Sequence, residues 1–309
     1  MFIIRLSLVL ITVLCISHFA HSQEFVLYGT AGEGTCNTFP AGERSLYIVN
    51  PNTGQMQFVG TPGFDGITAL AQLDDGRLLA TGIQDDDTSI LIEIDPSTGQ
   101  GTLIGVIGDR NNPGECSRVP GLTYDSATNT LYGLARRCND GSEPLVTITP
   151  DTAEMTIIGD TELDGGGFGL AIRSDGTLFA SAWMNTNFML YTLDRITGNP
   201  TLVGTMDTAS VVPNGLAVGG LAFHPVTQQL FASTNNGDVG NDSYLLTVDE
   251  SAPPSFNVQG QTENCFDGLV FVEGSLRNVP TISQWGLIAM AGLLGIVGFM
   301  VMRRKKVTA

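Results

Sequence analysis

Residues 49–60 have the sequence VNPNTGQMQFVG, and variants of this stretch occur five times along the chain. Each variant has an alternating apolar segment, a turn rich in proline, asparagine, aspartate and glycine, and a second segment ending in glycine, a pattern typical of a β-hairpin. The stretches are VNPNTGQMQFVG, IDPSTGQGTLIG, ITPDTAEMTIIG, LDRITGNPTLVG and VDESAPPSFNVQG, and they end at Gly60, Gly105, Gly159, Gly204 and Gly260. Repeats 45 to 56 residues apart indicate an array of similar structural units.

A second repeated motif lies between these hairpins and adds two strands to each unit. Its copies are ALAQLDDGRLLATG, GLTYDSATNTLYGLA, GLAIRSDGTLFASA and GLAFHPVTQQLFAST. Each unit then has four short antiparallel strands and no 3.6-residue period, which is typical of a β-propeller blade. We therefore predict an all-β fold, a five-bladed β-propeller of four-stranded antiparallel blades.

The two ends of the body complement each other. Residues 268–272, GLVFV, match a first strand but have no second strand after them, whereas residues 24–29, EFVLYG, match a second strand without a first. The fifth blade is therefore predicted to combine one strand from the C-terminal end with three from the N-terminal end. Such pairing would remove the sheet edge at which the ring would otherwise open.

Both termini carry targeting features. Arg5, the apolar residues 6–16 and the small-x-small residues 20–22 fit a secretory signal peptide over residues 1–22. Residues 285–302 contain no charge and are long enough for a transmembrane helix, and the basic residues 303–306 place the C-terminus in the cytoplasm. We predict an exported propeller domain over residues 23–278, followed by a sorting signal over residues 279–309.

The residues just before the predicted span resemble the IPTL-CTERM sorting domain, whose pattern is I-P-T-L-S-E-W-G, then a span, then an arginine-rich end. The resemblance implies a Gram-negative source and an exosortase-type enzyme that cuts near the motif. A membrane-anchored precursor would then reach the cell surface or the extracellular space, and the inner membrane would be only a transient partner. The alternative is an ordinary single-span anchor. The motif residues are Val279, Pro280, Thr281, Ile282, Ser283, Gln284, Trp285 and Gly286.

Signal removal leaves four cysteines, and an even number in an exported chain favours disulfides. Cys116 precedes an innermost strand and Cys138 follows the next strand; Cys265 and Cys36 hold the same two positions in the fifth blade. Only one of the three possible pairings makes the two bridges equivalent. We predict the disulfides Cys116–Cys138 and Cys36–Cys265, the second of which would lock the ring closure.

The charge of the chain excludes one class of partner. Its net charge is -17, and residues 23–278 contain nine arginines, no lysine and all 31 acidic residues. A body this acidic repels polyanions, which argues against nucleic acid or an anionic lipid surface as the main partner.

Acidic loops are predicted to share one face of the ring with both disulfides and the two longest insertions, 107–120 and 206–218. Carboxylate and amide oxygens could coordinate Ca²⁺ there, although none of the loops matches an EF-hand and aspartate and asparagine are also ordinary turn formers. Solvated turns are the alternative to a Ca²⁺ site. The candidate ligands are Asp238, Asn241, Asp242, Asp85, Asp86 and Asp87.

Four further residues are candidates for ligand contact on the same face. Trp183, the only tryptophan of the body, could stack on a sugar or pack as a rim aromatic. Asp65, Asp164 and Asp267 each precede an innermost strand and could surround the axial mouth. We expect a non-catalytic binding or adhesion module of the cell envelope or extracellular matrix, with a polysaccharide, an envelope protein or a cation as its partner. A structural role in the matrix is not distinguished from binding by the sequence. The alternative is a secreted glycan-active hydrolase or lyase that uses the axial carboxylates as acid and base.

Overall fold

A computed structural model describes residues 25–32, 44–85, 88–163, 167–184, 187–212, 217–235, 243–262 and 266–274. The chain divides into two units, Met1–Glu273 and Gly274–Ala309, and all but one of the described residues lie in the first. The signal peptide predicted over residues 1–22 and the span predicted over residues 285–302 lie outside the described residues. Within the described part, no helix is long and apolar enough to cross a membrane.

The described residues form five antiparallel sheets of four strands each. In chain order the strands are β1 Phe25–Ala31, β2 Ser45–Val49, β3 Met56–Gly60, β4 Asp65–Gln72, β5 Leu78–Asp85, β6 Thr88–Ile94, β7 Gly101–Asp109, β8 Cys116–Asp125, β9 Thr130–Cys138, β10 Pro144–Ile148, β11 Met155–Asp160, β12 Gly167–Ile172, β13 Leu178–Met184, β14 Asn187–Leu193, β15 Pro200–Thr205, β16 Ala217–Phe223, β17 Leu230–Asn235, β18 Ser243–Asp249, β19 Ser255–Thr262 and β20 Leu269–Glu273.

These sheets are the blades of a five-bladed β-propeller, as the repeats predict. Blade I contains β4 to β7, blade II β8 to β11, blade III β12 to β15 and blade IV β16 to β19. Blade V has the order β20, β1, β2, β3, and β20 pairs with β1 in the register Leu27↔Phe271. The innermost strands β4, β8, β12, β16 and β20 contact one another in a closed ring. The predicted closure by N-terminal and C-terminal strands is therefore confirmed.

The apolar core lies between the blades. Successive side chains of a strand point to opposite faces, so each blade contributes to the junctions on both of its sides. On β9, for example, Leu131 packs with blade I residues such as Leu79, whereas Tyr132 packs with blade III residues such as Leu178. The described residues form five such clusters, one at each junction. Burial of apolar surface between neighbouring blades is thus the main stabilising contribution around the ring.

The glycine that ends each repeated stretch lies where an outer strand meets the next blade. At Gly60 the β2–β3 register shifts, and a Cβ at this position would collide with the backbone carbonyl of Thr98 in a turn of blade I. A repeat-ending glycine lies against a turn of the next blade at all five junctions, which explains why the repeat ends in glycine. At Gly204 the contact is with the Pro254 side chain, and at Gly105 a Cβ would lie 3.0 Å from the Thr152 carbonyl. The pairs are Gly60 with Thr98, Gly105 with Thr152, Gly159 with Thr197, Gly204 with Pro254 and Gly260 with Thr53.

Buried hydroxyl groups join the innermost strands to their neighbours. The Ser233 hydroxyl on β17 accepts a hydrogen bond from Gly220 N (2.7 Å) and donates one to the Asp267 carbonyl at the start of the next blade (2.5 Å). These bonds satisfy backbone groups close to the register shift in β16. The second strands of three other blades carry a buried hydroxyl group at the same position, whereas β9, the second strand of blade II, has a leucine there. These residues are Thr30, Thr81, Ser181 and Leu134.

The axis of the ring is nearly filled. Small residues of the innermost strands let neighbouring strands approach closely, and a Cβ at Gly220 would collide with the backbone of Asp267. A small axial space of about 10 Å³ is lined by residues at or next to all five innermost strands. That volume is enough for about one water molecule.

Candidate binding surface on the loop face

The loop face is the side of the ring that carries the connections between second and third strands and the connections from one blade to the next. The turn face is the opposite side, where the hairpin turns of the repeated motifs lie. The predicted site residues that the structure describes lie on the loop face, and they are Asp65, Asp85, Cys116, Cys138, Trp183 and Asp267.

The disulfide Cys116–Cys138 is confirmed. The two cysteines face each other across β8 and β9 at the loop-face end of blade II, and both are buried. The second predicted pair, Cys36–Cys265, lies outside the described residues and stays a prediction.

The insertion before β8 folds back on itself as a braced hook, defined here as residues 109–115. Asp109 N donates to the Glu115 carboxylate (2.8 Å), and Asn112 N donates to the Asp109 carbonyl (2.8 Å). From the neighbouring β9–β10 loop, Asn139 N donates to the Glu115 carbonyl (3.0 Å), and the Asn139 side chain donates to the Arg110 carbonyl (2.9 Å). The residue after the hook is Cys116, which forms the disulfide. The hook is therefore held at its end by the disulfide and at its start by the bond from Asp109 N to Glu115.

Carboxylates in the neighbouring loops are hydrogen-bonded to local backbone. Asp140 accepts from the hydroxyl (2.7 Å) and the backbone N–H (3.0 Å) of Ser142, and these bonds lower the pKa of the Asp140 carboxyl. Asp160 accepts from Glu143 N (3.2 Å) and Glu162 N (3.2 Å). These oxygens shape the loops, as aspartates do in ordinary turns.

The predicted calcium ligands are mostly not described. Asp85 is exposed at the end of β5. Asp86, Asp87, Asp238, Asn241 and Asp242 lie outside the described residues. In the described ranges, no three His, Cys, Asp or Glu side chains come close enough to hold a metal ion. The Ca²⁺ site stays a prediction.

The axial carboxylates occupy different environments. Asp267 is 7% exposed and forms an ion pair with Arg44, which precedes β2 and is 4% exposed. Asp65 is exposed at the start of β4, and Asp164 lies outside the described residues. The role of Arg44 was not predicted from the sequence. Its isolation was the available signal, because Arg44 is the only basic residue between residues 23 and 76.

Trp183 lies at the loop-face end of β13. Its indole is 39% exposed and packs edge-on against Phe188 at 4.7 Å between ring centroids. The ring therefore has both a packed side and an accessible surface. Trp183 could therefore stack on a sugar or serve as a packed aromatic of the rim.

The turn face carries ion pairs that link successive blades. Arg77 of blade I contacts Asp151 of blade II at 2.8 Å. The next two junctions contain Arg195 with Asp125 (2.6 Å) and Arg173 with Glu250 (3.0 Å). Each pair joins the turn after a first strand to the turn after a third strand of the next blade. These pairs could not be predicted from the sequence, because nothing in a single repeat indicates which turns become neighbours.

The single histidine of the body, His224, has a structural environment. Its Nδ1 accepts hydrogen bonds from Val226 N (3.1 Å) and Thr227 N (3.2 Å). Its ring packs against Phe271 at 4.8 Å and Phe25 at 5.9 Å between centroids. His224 thus organises a turn on the turn face, in the manner of the aspartates in equivalent turns.

Distant structural similarity to several proteins was found, and no curated protein matches the sequence. The nidogen/laminin complex aligns at 14% identity and a TM-score of 0.48, over 81% of this chain and 98% of that chain. TolB from Acinetobacter baumannii aligns at 14% identity and 0.45, over 76% and 53%. An engineered GH43 glycoside hydrolase aligns at 12% identity and 0.45, over 62% and 40%. At these values the fold assignment depends on the strand order and pairing described above.

The C-terminal segment is identified directly. A family model described as the IPTL-CTERM motif matches residues 279–304, which include the eight motif residues predicted from the sequence. The motif implies a C-terminal sorting signal recognised by an exosortase-type enzyme, and it suggests an exported, envelope-associated protein. The chain is therefore a five-bladed β-propeller followed by an IPTL-CTERM sorting motif.

Proposed function

We propose that the protein is a surface-sorted, non-catalytic binding or adhesion module of the cell envelope or extracellular matrix. The C-terminal motif delivers the propeller, and the loop face contacts an extracellular polysaccharide or another envelope protein. The sorting enzyme supplies the catalytic chemistry of delivery, so this chain provides only the recognised segment.

The environment of Asp267 is the observation that carries this proposal. A glycosidase needs two carboxyl groups that reach the sugar, one as general acid and one as base or nucleophile. The Asp267 carboxylate is instead buried against the Arg44 guanidinium, where it contributes to the closure of blade V. Separating a buried ion pair is costly, because each charge loses a favourable interaction in a medium of low dielectric constant. This environment supports a structural role for Asp267.

The rigidity of the described loops also supports binding. The braced hook and the Asp140 and Asp160 loops are fixed by backbone hydrogen bonds. Loops on a rigid scaffold commonly present binding residues, and preformed loops lose less conformational entropy when a partner binds.

A panel of neutral and acidic polysaccharides tests the proposal. We expect the full chain to retain one or more of them in a binding assay and to release no new reducing ends or unsaturated products. The Asp65→Asn variant should behave like the unmodified protein, as should Asp74→Asn on the turn face. Turnover that Asp65→Asn abolishes and Asp74→Asn leaves intact would contradict the non-catalytic role and establish the hydrolase or lyase alternative.

A further inference from the structure

A groove lies on the outer rim of the ring, between blades I and II. Its sides are the outer strands β7 and β11 together with the braced hook, and its volume is about 500 Å³. Ligand sites in proteins commonly have volumes of roughly 300–1,000 Å³. The groove is therefore large enough for several side chains of a bound partner.

The sides of the groove expose aliphatic surface. Val106 on β7 is 48% exposed and Ile157 on β11 is 45% exposed, while Ile107 beside them is buried and Met155 is half-buried. Large aliphatic side chains grouped in a concave site indicate a binding site more strongly than scattered exposed ones do. A partner that covers them is stabilised by the burial of apolar area.

The braced hook forms one wall of this groove before any partner binds. Its turn is closed by the Asp109 and Asn112 hydrogen bonds, and Glu115 is positioned in the groove by the bonds that its carboxylate accepts. The disulfide at Cys116 holds the end of the wall. A preformed wall reduces the entropy that binding must overcome.

The side chains that line the groove favour some classes of partner over others. Glu115 and Glu154 place negative charge beside the aliphatic surface. None of the described residues that line the groove is aromatic, so the stacking platform typical of sugar sites is missing here. A second copy of this chain would bring a net charge of -17 and be repelled.

We propose that the rim groove binds a peptide segment of a partner protein in which aliphatic side chains alternate with lysine or arginine. The aliphatic groups cover Val106 and Ile157, and the cationic groups approach Glu115 and Glu154. This site is on the rim and goes beyond the loop-face function proposed above, so each proposal can fail without the other.

The test uses the full chain, purified in a mild detergent, and a fluorescent nine-residue peptide that alternates lysine with valine. We expect saturable binding. Ile157→Asp should weaken it by about tenfold, equivalent to about 1.4 kcal/mol. Glu154→Arg should weaken it as well. Leu202→Asp is the matched control, because Leu202 is 54% exposed at the equivalent position of blade III and should leave binding unchanged.

Two control peptides separate groove recognition from general charge attraction. A peptide with serine in place of valine, and one with glutamate in place of lysine, should each bind at least about tenfold more weakly. Equal binding of the serine peptide would overturn the proposal, because overall charge would then explain the attraction. Equal weakening by Ile157→Asp and Leu202→Asp, or no binding of the lysine–valine peptide, would overturn it too.

Discussion

At the residue scale, small residues of the repeat are explained by contacts between blades. Gly159 contacts the Thr197 carbonyl so closely that no side chain fits, and Gly60 and Gly260 contact the Thr98 and Thr53 carbonyls in the same way. The sequence identified these glycines as markers of the repeat but not their reason, because the contact joins residues of different repeats. Ser233 acts in the same way through hydrogen bonds across the junction between blades IV and V.

The loss of stability caused by replacing these glycines should increase with the severity of the clash that a Cβ would make. A Cβ at Gly159 would collide with the Thr197 carbonyl, whereas a Cβ at Gly105 would lie 3.0 Å from the Thr152 carbonyl. We expect Gly159→Ala to lower the free energy of unfolding by about 2–4 kcal/mol and Gly105→Ala by about 1 kcal/mol. Chemical denaturation measures both, and equal small effects would contradict the contact explanation.

Removal of a buried hydroxyl should also be costly. Ser233→Ala leaves Gly220 N–H and the Asp267 carbonyl without this partner, so we expect a loss of about 1–3 kcal/mol. Ser126 is exposed in a turn, and Ser126→Ala serves as the control with a change within about 0.5 kcal/mol. A Ser233→Ala variant as stable as the control would show that the hydroxyl bridge contributes nothing.

At the element scale, loops and turns are fixed by links that cross from one strand pair or blade to another. The Cys116–Cys138 bridge holds the ends of β8 and β9, and ion pairs connect turns of adjacent blades on the opposite face. The disulfide could be predicted from equivalent cysteine positions. The ion pairs could not, because they depend on how far each blade is rotated relative to the next.

Loss of the disulfide should destabilise the propeller without changing its fold. The bridge spans 22 residues, and closing a loop of this length stabilises a protein by about 2–4 kcal/mol. We expect the Cys116→Ser, Cys138→Ser double variant to lose that amount in denaturant unfolding. Its circular dichroism should remain that of a β-protein. Unchanged stability would contradict a stabilising role.

The turn-face pair Arg173–Asp175 should be visible in carboxyl titration. The Arg173 guanidinium (2.7 Å) and Thr177 N (2.9 Å) hydrogen-bond the Asp175 carboxylate and hold its pKa well below the ordinary value of 3.8. Because the folded-state pKa is lowered, the associated stability is present above about pH 4 and is lost as the pH falls below that value. The contribution is small, since the Asp175 side chain is 52% exposed.

NMR titration of side-chain carboxyl resonances checks this. We expect Arg173→Ala to raise the pKa of Asp175 toward its ordinary value. The pKa of Asp194, which is lowered by the backbone N–H groups of Ile196 and Thr197, should not change. An ordinary pKa for Asp175 in the unmodified protein would disprove the ion pair in solution.

At the scale of the whole molecule, the sequence allowed the blade number, the strand content and the closure to be predicted. The reason is physical: each blade repeats one hairpin pattern, and the two incomplete ends complete one blade. The Arg44–Asp267 pair and the rim groove could not be predicted, because both need the distance between residues of different blades. Topology alone predicts which strand ends share the loop face, whereas the hydrogen-bond partners of the acidic residues depend on local turn geometry.

Ring closure can be tested by truncation. A chain that ends at residue 274 keeps β20, whereas one that ends at residue 267 lacks it and leaves β1 without its inner partner. We expect the longer chain to unfold cooperatively and the shorter chain to aggregate or lose cooperativity, because β20 joins blade V to the innermost ring. Equal cooperativity of the two chains would contradict closure by this strand.

Delivery of the propeller depends on recognition of the C-terminal motif, which can be tested by intact-mass measurement of the protein isolated from its native cells. We expect a mass that corresponds to a body beginning near residue 23 and lacking residues 287–309, and Trp285→Ala should prevent this processing. A mass that includes residues 287–309 in the surface-located protein would contradict sorting by cleavage and would identify the segment as an ordinary anchor.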